Sequence, residues 1–330
     1  MFAREDWLAS HKEEIVEPDR EIVDPHHHLW DWRSMSAYLL DQLWTDTGSG
    51  HNVVQTVFIE CHWSYHQEGP DHLRSVGETA RVAGIAKAAA EQPEKSQIAG
   101  IIAHTDLRSP LLDDALDAHS SAGQGRFRGI RHALAYDDDQ ALSIKPRQPK
   151  DLYASPEFQA GVRRLGERGL TYDTWNYHHQ IGQLIEVARA APETTIVLDH
   201  FSTPLGIGRF KRKRAEIFEQ WKKDMAELAK CANVHAKLGG LSMPDNGWGY
   251  MDQDKPATSD QIVADQADWY HYTIDQFGPE RCMFESNFPV DRASVSYHVF
   301  WNAAKKIASG YSEDEKSAMF AGTARSVYSL

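Results

Sequence analysis

Short runs rich in β-branched and other apolar residues recur along the chain, each bounded by turn-forming residues: EIVDPH, VVQTVFIECHW, QIAGIIAHTD, FRGIRHALAY, GLTYDTW, TTIVLDHF, NVHAKLGGL and RCMFESNFP. Runs of this length and composition predict buried strands. Between most of them the apolar residues fall at spacings of three and four instead. Arg214 to Lys230 is one such stretch, with Phe218, Trp221, Met225 and Leu228 on a single helical face. About eight β-then-α units in a chain of 330 residues fit a closed parallel barrel better than an open doubly wound sheet. No glycine-rich dinucleotide fingerprint follows an early strand, which points the same way. The pattern predicts a single (β/α)8 TIM barrel over residues 1–330, with 1–20 as an N-terminal extension. Two long connections, Asp137 to Pro156 and Gly239 to Ala257, follow strands and are expected as lids or pocket walls on the C-terminal face.

Charge narrows the partner. With 35 Lys and Arg against 48 Asp and Glu, the formal net charge is -13, which argues against a nucleic acid or an anionic membrane and for a small molecule. The basic run RFKRKR, Arg209 to Arg214, reads as the solvated face at the start of a helix. Three cysteines, Cys61, Cys231 and Cys282, have no paired spacing and suggest neither a disulfide framework nor a thiolate zinc site. The charged first twenty residues lack a signal-like apolar run, and no later run would span a bilayer, so a cytoplasmic protein is expected. Self-association is left open.

Candidate chemistry gathers at the strand ends. Simple alternation places Asp24, His26 and His28 on one face of the first strand, with Pro25 and His27 on the other. Two inward histidines suit a divalent metal or a polarised carbonyl, while a polar loop with backbone-bonded histidines is the alternative. His104, Asp173 and His200 end the third, fifth and sixth strands, and Glu60 shares a face with His62 at the end of the second. Polar residues at strand C-termini are where barrel enzymes place catalysis. Arg128 and Arg131 lie on opposite faces of the fourth strand, and Arg131 is the better placed to clamp a substrate carboxylate, a structural salt bridge being the alternative. Trp30, Trp63, Tyr65, Trp175 and Tyr177 crowd the same ends and favour a ring-containing acid or lactone over a flexible peptide.

The motifs DPHHHLWD, IVLDHFSTP, KLGGLS, RCMFESNFPVD and GTARSVYSL resemble, in order and over essentially the whole chain, the amidohydrolase superfamily. Within its amidohydrolase-2 branch the similarity is to the lactonase-like group of 2-pyrone-4,6-dicarboxylate lactonase and the sugar-acid lactonases. The resemblance implies a (β/α)8 barrel, with His26 and His28 as the paired first-strand histidines and His200 as the sixth-strand histidine. Many members bind zinc or another divalent ion through these positions, although lactonases of this group can act without one. The family usually carries aspartate in an eighth-strand motif S/T-D-[WF]-P, as general base and sometimes as ligand. This chain has Ser286-Asn287-Phe288-Pro289. A carboxamide is no base and a poor ligand, so either no cofactor or a weakly held divalent ion at His26, His28 and His200, zinc if any, is expected. Glu60 and Glu285 are the replacement bases. Glu285 shares its face with Asn287, and its alternative role is an ion pair with Lys237. Asp291 is a possible helix cap. The expected activity is hydrolytic opening of a lactone of a carboxylated sugar acid or of an aromatic-degradation intermediate. A metal-dependent decarboxylase and an inactive binding homologue are the alternatives.

Overall fold

The computed structural model describes residues 4–32, 36–139, 141–142 and 148–330. All eight predicted runs contain strands: β1 Glu21–His27, β2 Asn52–Ile59, β3 Gln97–Ala103, β4 Phe127–Arg131, β5 Thr171–Thr174, β6 Ile196–Leu198, β7 Val234–Leu238 and β8 Cys282–Phe284. They form one parallel sheet in sequential order. Parallel neighbours need a crossover, and helices supply it: α1 Glu5–Ala9 precedes the sheet, followed by α2 Leu40–Thr47, α3 Val76–Ala89, α4 Leu112–Ala122, α5 Pro156–Glu167, α6 Ile181–Ala190, α7 Arg214–Leu228, α8 Ser259–Phe277, α9 Tyr297–Ile307, α10 Glu313–Ser317 and α11 Thr323–Tyr328. The (β/α)8 barrel is therefore present. The predicted apolar face of α7 packs inward through Trp221, Met225 and Leu228. Local chemistry marks element starts as well. Ser155 accepts from the Phe158 amide with Pro156 in the first turn of α5, and Thr258 accepts from the Gln261 amide at the start of α8.

The barrel interior is layered. Val23, Val57, Ile59, Ile102, Val197 and Met283 from the strands form an apolar plug together with Ala321, Ala324 and Tyr328. Each large side chain buried there contributes about 1.5–3 kcal/mol. Beside the plug the interior turns ionic, and His26, His28 and His200 gather beyond it at the strand C-termini.

The edge between β1 and β8 closes by a different set of contacts from the regular ladders. His27 and Phe288 form an isolated bridge, the His28 amide donates to Phe288 O at 2.8 Å, and the Asn287 amide donates to His26 O at 3.1 Å. Asp24 adds a polar clasp. Its carboxylate accepts from the Ser286 amide (2.9 Å), the Ser286 hydroxyl (2.6 Å) and the Tyr297 hydroxyl (2.9 Å). This corrects the alternation expected for β1. The ladder shifts register between Asp24 and His27, so Asp24 turns toward β8 and α9 while His26 and His28 keep the interior. The N-terminal segment lies against α8 and α9, where Glu13 accepts from the Ser259 amide at 2.8 Å and from Asn302 Nδ2 at 3.1 Å. Among the described residues no helix is long and apolar enough to cross a membrane.

Candidate active site

His26 and His28 project from the end of β1 with their Nε2 atoms 3.2 Å apart. His28 Nδ1 lies 2.8 Å from Ile59 O and must donate to that carbonyl, which leaves its Nε2 as the lone-pair nitrogen facing His26. His200, immediately beyond β6, holds a left-handed backbone (φ 55°). Its Nδ1 donates to Glu285 Oε1 at 2.6 Å. Gly240 explains why β7 is followed by two glycines. A Cβ there would lie 2.3 Å from His200 Nδ1, and one on Gly239 would lie 2.0 Å from Glu285 O. Glu285 Oε2 sits 2.7 Å from His26 Nδ1 but is not aligned for a hydrogen bond, and it has no other partner among the described residues. Glu285 thus touches both imidazoles and is itself fully buried.

An ionic layer supports this rim. Lys237 donates to Asp173 Oδ2 (2.9 Å) and Asp199 Oδ1 (3.0 Å), with His26 Nδ1 at 3.2 Å. Arg131 donates through Nε to Glu60 Oε1 at 2.8 Å, through Nη2 to Glu60 O at 2.5 Å and through Nη1 to Asp199 Oδ2 at 3.4 Å. Tyr328 reaches up from α11 to donate to Asp173 at 2.6 Å. The charges hold each other in place. Burial alone would raise Glu60 and Glu285, but Arg131 holds Glu60 at about 2, and His200 beside it holds Glu285 at about 2. Burial, then the Lys237 charge, keeps His26 neutral, and burial, then Arg131, lowers His28 to about 3. Burial raises Asp173.

These placements revise several expectations. Glu285 does not pair with Lys237, whose ammonium is taken by Asp173 and Asp199. Asp173 is not at a substrate surface. It lies in the supporting layer, with Thr171, Lys237 and Tyr328 on its oxygens. Arg131 is held in the alternative arrangement, a buried ion pair with Glu60 and Asp199. Asp291 does not cap α9. It accepts from Asn287 Nδ2 at 2.8 Å and the Ser242 amide at 3.1 Å, and burial pushes it up to about 7. Asn287 itself has φ 55° and is buried at the rim.

The aromatic residues divide between core and clefts. Trp30 is buried and stacks on Trp32 (ring centroids 5.2 Å apart, 6° between planes), and Tyr177 is buried with Ala135 and Leu205. Trp175 is half-buried and donates to Thr203 Oγ1 at 2.8 Å. Trp63 donates to Asp31 at 2.7 Å and, with Tyr65 and His62, lines a cleft of ≈ 480 Å³. His104, whose Nδ1 donates to Arg131 O at 3.0 Å, shares a second cleft of ≈ 750 Å³ with Tyr65 and Arg108. Of the expected lids, Ser242 to Asp252 walls a further cavity, while 140 and 143–147 lie outside the described residues.

Two residues central to this arrangement escaped sequence reasoning. Asp199 directly precedes His200 at a strand end, and that adjacency was its available signal. Tyr328 lies in the GTARSVYSL motif, but nothing local links it to β5.

The donor set fits a divalent ion. Ligand atoms of His26, His200 and Glu285 lie within 4.8 Å of one another, and two imidazoles with a carboxylate form a borderline set of the kind zinc accepts. Four buried carboxylates, Glu60, Asp173, Asp199 and Glu285, face two permanent cations, Arg131 and Lys237, which leaves two negative charges for protons or a divalent ion to neutralise. The orphaned Glu285 Oε2 agrees with that deficit.

Comparison with known proteins follows the same line. The chain is 31% identical to the uncharacterized protein y4mH of Sinorhizobium fredii, over 94% of this chain and 99% of that one. It is 25% identical to an L-fucono-1,5-lactonase of Burkholderia multivorans, over 93% and 96%. An amidohydrolase of Burkholderia multivorans crystallised with bound zinc superposes with a TM-score of 0.73 at 23% identity, over 94% of this chain and 99% of that one. The amidohydrolase family pattern matches residues 23–330, nearly the whole chain, and the protein therefore belongs to the amidohydrolase family.

Proposed function

We propose that the protein opens a lactone of a carboxylated sugar acid or of an aromatic-degradation intermediate by attack of water. The observation that carries this reading is the buried junction of His26 and His200 on one carboxylate, Glu285, at the strand C-termini, with His28 against His26. The relationship to an L-fucono-1,5-lactonase supports the same reaction class. Glu285 Oε2, the oxygen without a hydrogen bond, is the acceptor for the proton of the attacking water. His200, tethered through Nδ1, keeps that carboxylate oriented. Asn287, its amide nitrogen held by Asp291, presents a neutral polar group to a substrate oxygen. Arg131 and Lys237 act at one remove, fixing Glu60 and Asp199 beneath the rim. A divalent ion held by His26, His200 and Glu285 would supply Lewis-acid polarisation of the ester carbonyl, and coordination by Glu285 would then take the place of its role as proton acceptor.

A panel of sugar-acid and aromatic-derived lactones, read by a pH indicator alongside elemental analysis of the purified protein, tests the proposal. Acid release that disappears in His28→Ala supports it. Failure to open any lactone, with the fold intact and with zinc supplied, would sink it. Asn287, standing where a decarboxylase of this branch relies on an aspartate, counts against the decarboxylase alternative.

A further inference from the structure

The run Arg209 to Arg214, expected as a solvated helical face, is exposed at Lys211, Arg212 and Lys213, and it also borders a cavity. Arg209 pairs with Asp137 at 2.6 Å. Lys211, Arg212 and Arg214 line a space of ≈ 640 Å³ between the loop after β6 and the loop after β7. None of the rim histidines lines it. Its volume suits a small organic ligand, and its walls are set by close backbone packing. A Cβ on Gly206 would lie 2.1 Å from Asn246 O, and the Gly206 amide donates to Asp245 O at 2.8 Å.

Three observations identify the ligand chemistry. First, the lining holds three cations against the single carboxylate of Asp252, in a chain whose net charge is -13. A local field of the opposite sign to the whole molecule selects anions. Second, Arg214 has no ion-pair partner among the described residues. Asp265 is near enough to be felt but is bonded to the Tyr250 hydroxyl at 2.8 Å. Arg214 Nη2 donates to Asn246 O (3.1 Å) and Gly247 O (3.2 Å), and its Nε and Nη1 have no acceptor among the described residues. Third, the guanidinium lies 3.3 Å from the Trp248 ring centroid, Trp248 runs parallel to Tyr250 within 7°, and the buried Trp248 Nε1 donor has no partner. A fixed planar fork with spare donors beside an aromatic wall matches a carboxylate on a flat ring.

We propose that this cavity is a binding site for a carboxylate-bearing ring compound, anchored by Arg214 and the indole N–H of Trp248. It is separate from the reaction proposed above and does not depend on it. Phthalate is a suitable probe, with inorganic phosphate as an anion lacking the ring. Titration of the full chain with phthalate should quench tryptophan fluorescence saturably below about 10 mM, with phosphate at least about tenfold weaker. Trp248→Phe should remove most of the quench although nine other tryptophans remain. Arg214→Gln should weaken binding about tenfold or more, with Arg214→Lys intermediate. Because Arg214 also supports backbone, the exposed double variant Lys211→Ala/Arg212→Ala serves as a second test and should weaken phthalate several-fold without moving the melting temperature. Absence of saturable quenching, or equal phthalate affinity in wild type, Arg214→Gln and the double variant, would overturn the proposal. Phosphate binding as tightly as phthalate would overturn the assignment to a ring carboxylate.

Discussion

Glu285→Gln and Glu60→Gln form a matched pair, since both remove one buried charge while keeping shape and one acceptor oxygen. Glu285 accepts from His200 Nδ1 at 2.6 Å and has one oxygen without a hydrogen bond, whereas Glu60 is bound to Arg131 through Oε1 and through its own carbonyl. Glutamine at 285 can still accept from His200 but cannot take a proton from water. A lost general base costs about 100-fold in turnover or more, equivalent to roughly 2.7 kcal/mol of barrier. Its structural cost is the difference between a charge-assisted and a neutral hydrogen bond, about 1–2 kcal/mol. For 330 residues an unfolding entropy near 2.1 cal/mol/K per residue gives about 0.7 kcal/mol/K, so each kcal/mol moves the melting temperature by roughly 1.4 °C. Glu285→Gln should therefore lower kcat at least about 100-fold while the melt falls only about 1–3 °C. Glu60→Gln removes the nearer of two carboxylates from Arg131 and should cost about 2–4 kcal/mol, or roughly 3–6 °C, with the smaller loss of turnover. The assay is lactone hydrolysis followed by pH indicator, with thermal melts on the same samples. If Glu60→Gln abolishes turnover and Glu285→Gln does not, the assignment of Glu285 as proton acceptor is wrong.

Three further outcomes are expected. His28→Ala and His200→Ala should each abolish turnover and leave a cooperative melt, because both lie above the packed layers; full activity in either removes the central junction from the mechanism. Hydrogen bonds from Ser259, His11 and Asn302 outweigh burial and lower Glu13 from 4.5 to about 2 in the folded protein, so its contribution is full above about pH 4.5 and fades as pH falls toward 2. Melts of wild type and Glu13→Gln should accordingly differ at pH 7 and converge near pH 2.5, and a difference that persists unchanged would refute the linkage. Tyr328→Phe leaves Asp173 short of one donor and should lower stability by about 1–3 kcal/mol, measured by urea unfolding; a neutral effect would mean that Asp173 does not need the hydroxyl.

Periodicity carried the barrel well, because each strand run had its own apolar composition and its own following helix. The site was legible where a side chain lies at a strand end and points along the expected face, as at His26, His28 and His200. It was misread where the face depends on pairing. Alternation cannot foresee the register shift at Pro25 that turns Asp24 toward Ser286 and Tyr297. Partnership across the interior was also hidden. Lys237 could face Asp173, Asp199 or Glu285 on inspection of β7 alone, and only the barrel's stagger decides that the two aspartates receive it. The basic run at Arg209 to Arg214 reads as helix surface because charge runs usually are, whereas Arg214 is the first residue of α7 and Gly208–Phe210 forms a separate 3-10 turn ahead of it.

The junction of β1 with β8 has a consequence for how activity relates to folding. Backbone bonds from His28 to Phe288 and from Asn287 to His26 join segments about 260 residues apart in sequence, and those same residues carry the rim groups. The proposed reactive centre is thus divided across the joint at which the cylinder shuts: His26 and His28 on one lip, Glu285 and Asn287 on the other. A chain that had wound its strands but not met its own beginning would have near-native helical content and no assembled centre. Turnover is consequently a stricter reporter of completed topology than secondary-structure signal. Fluctuation at this one joint, rather than at any loop, is the motion to which catalysis should be most sensitive.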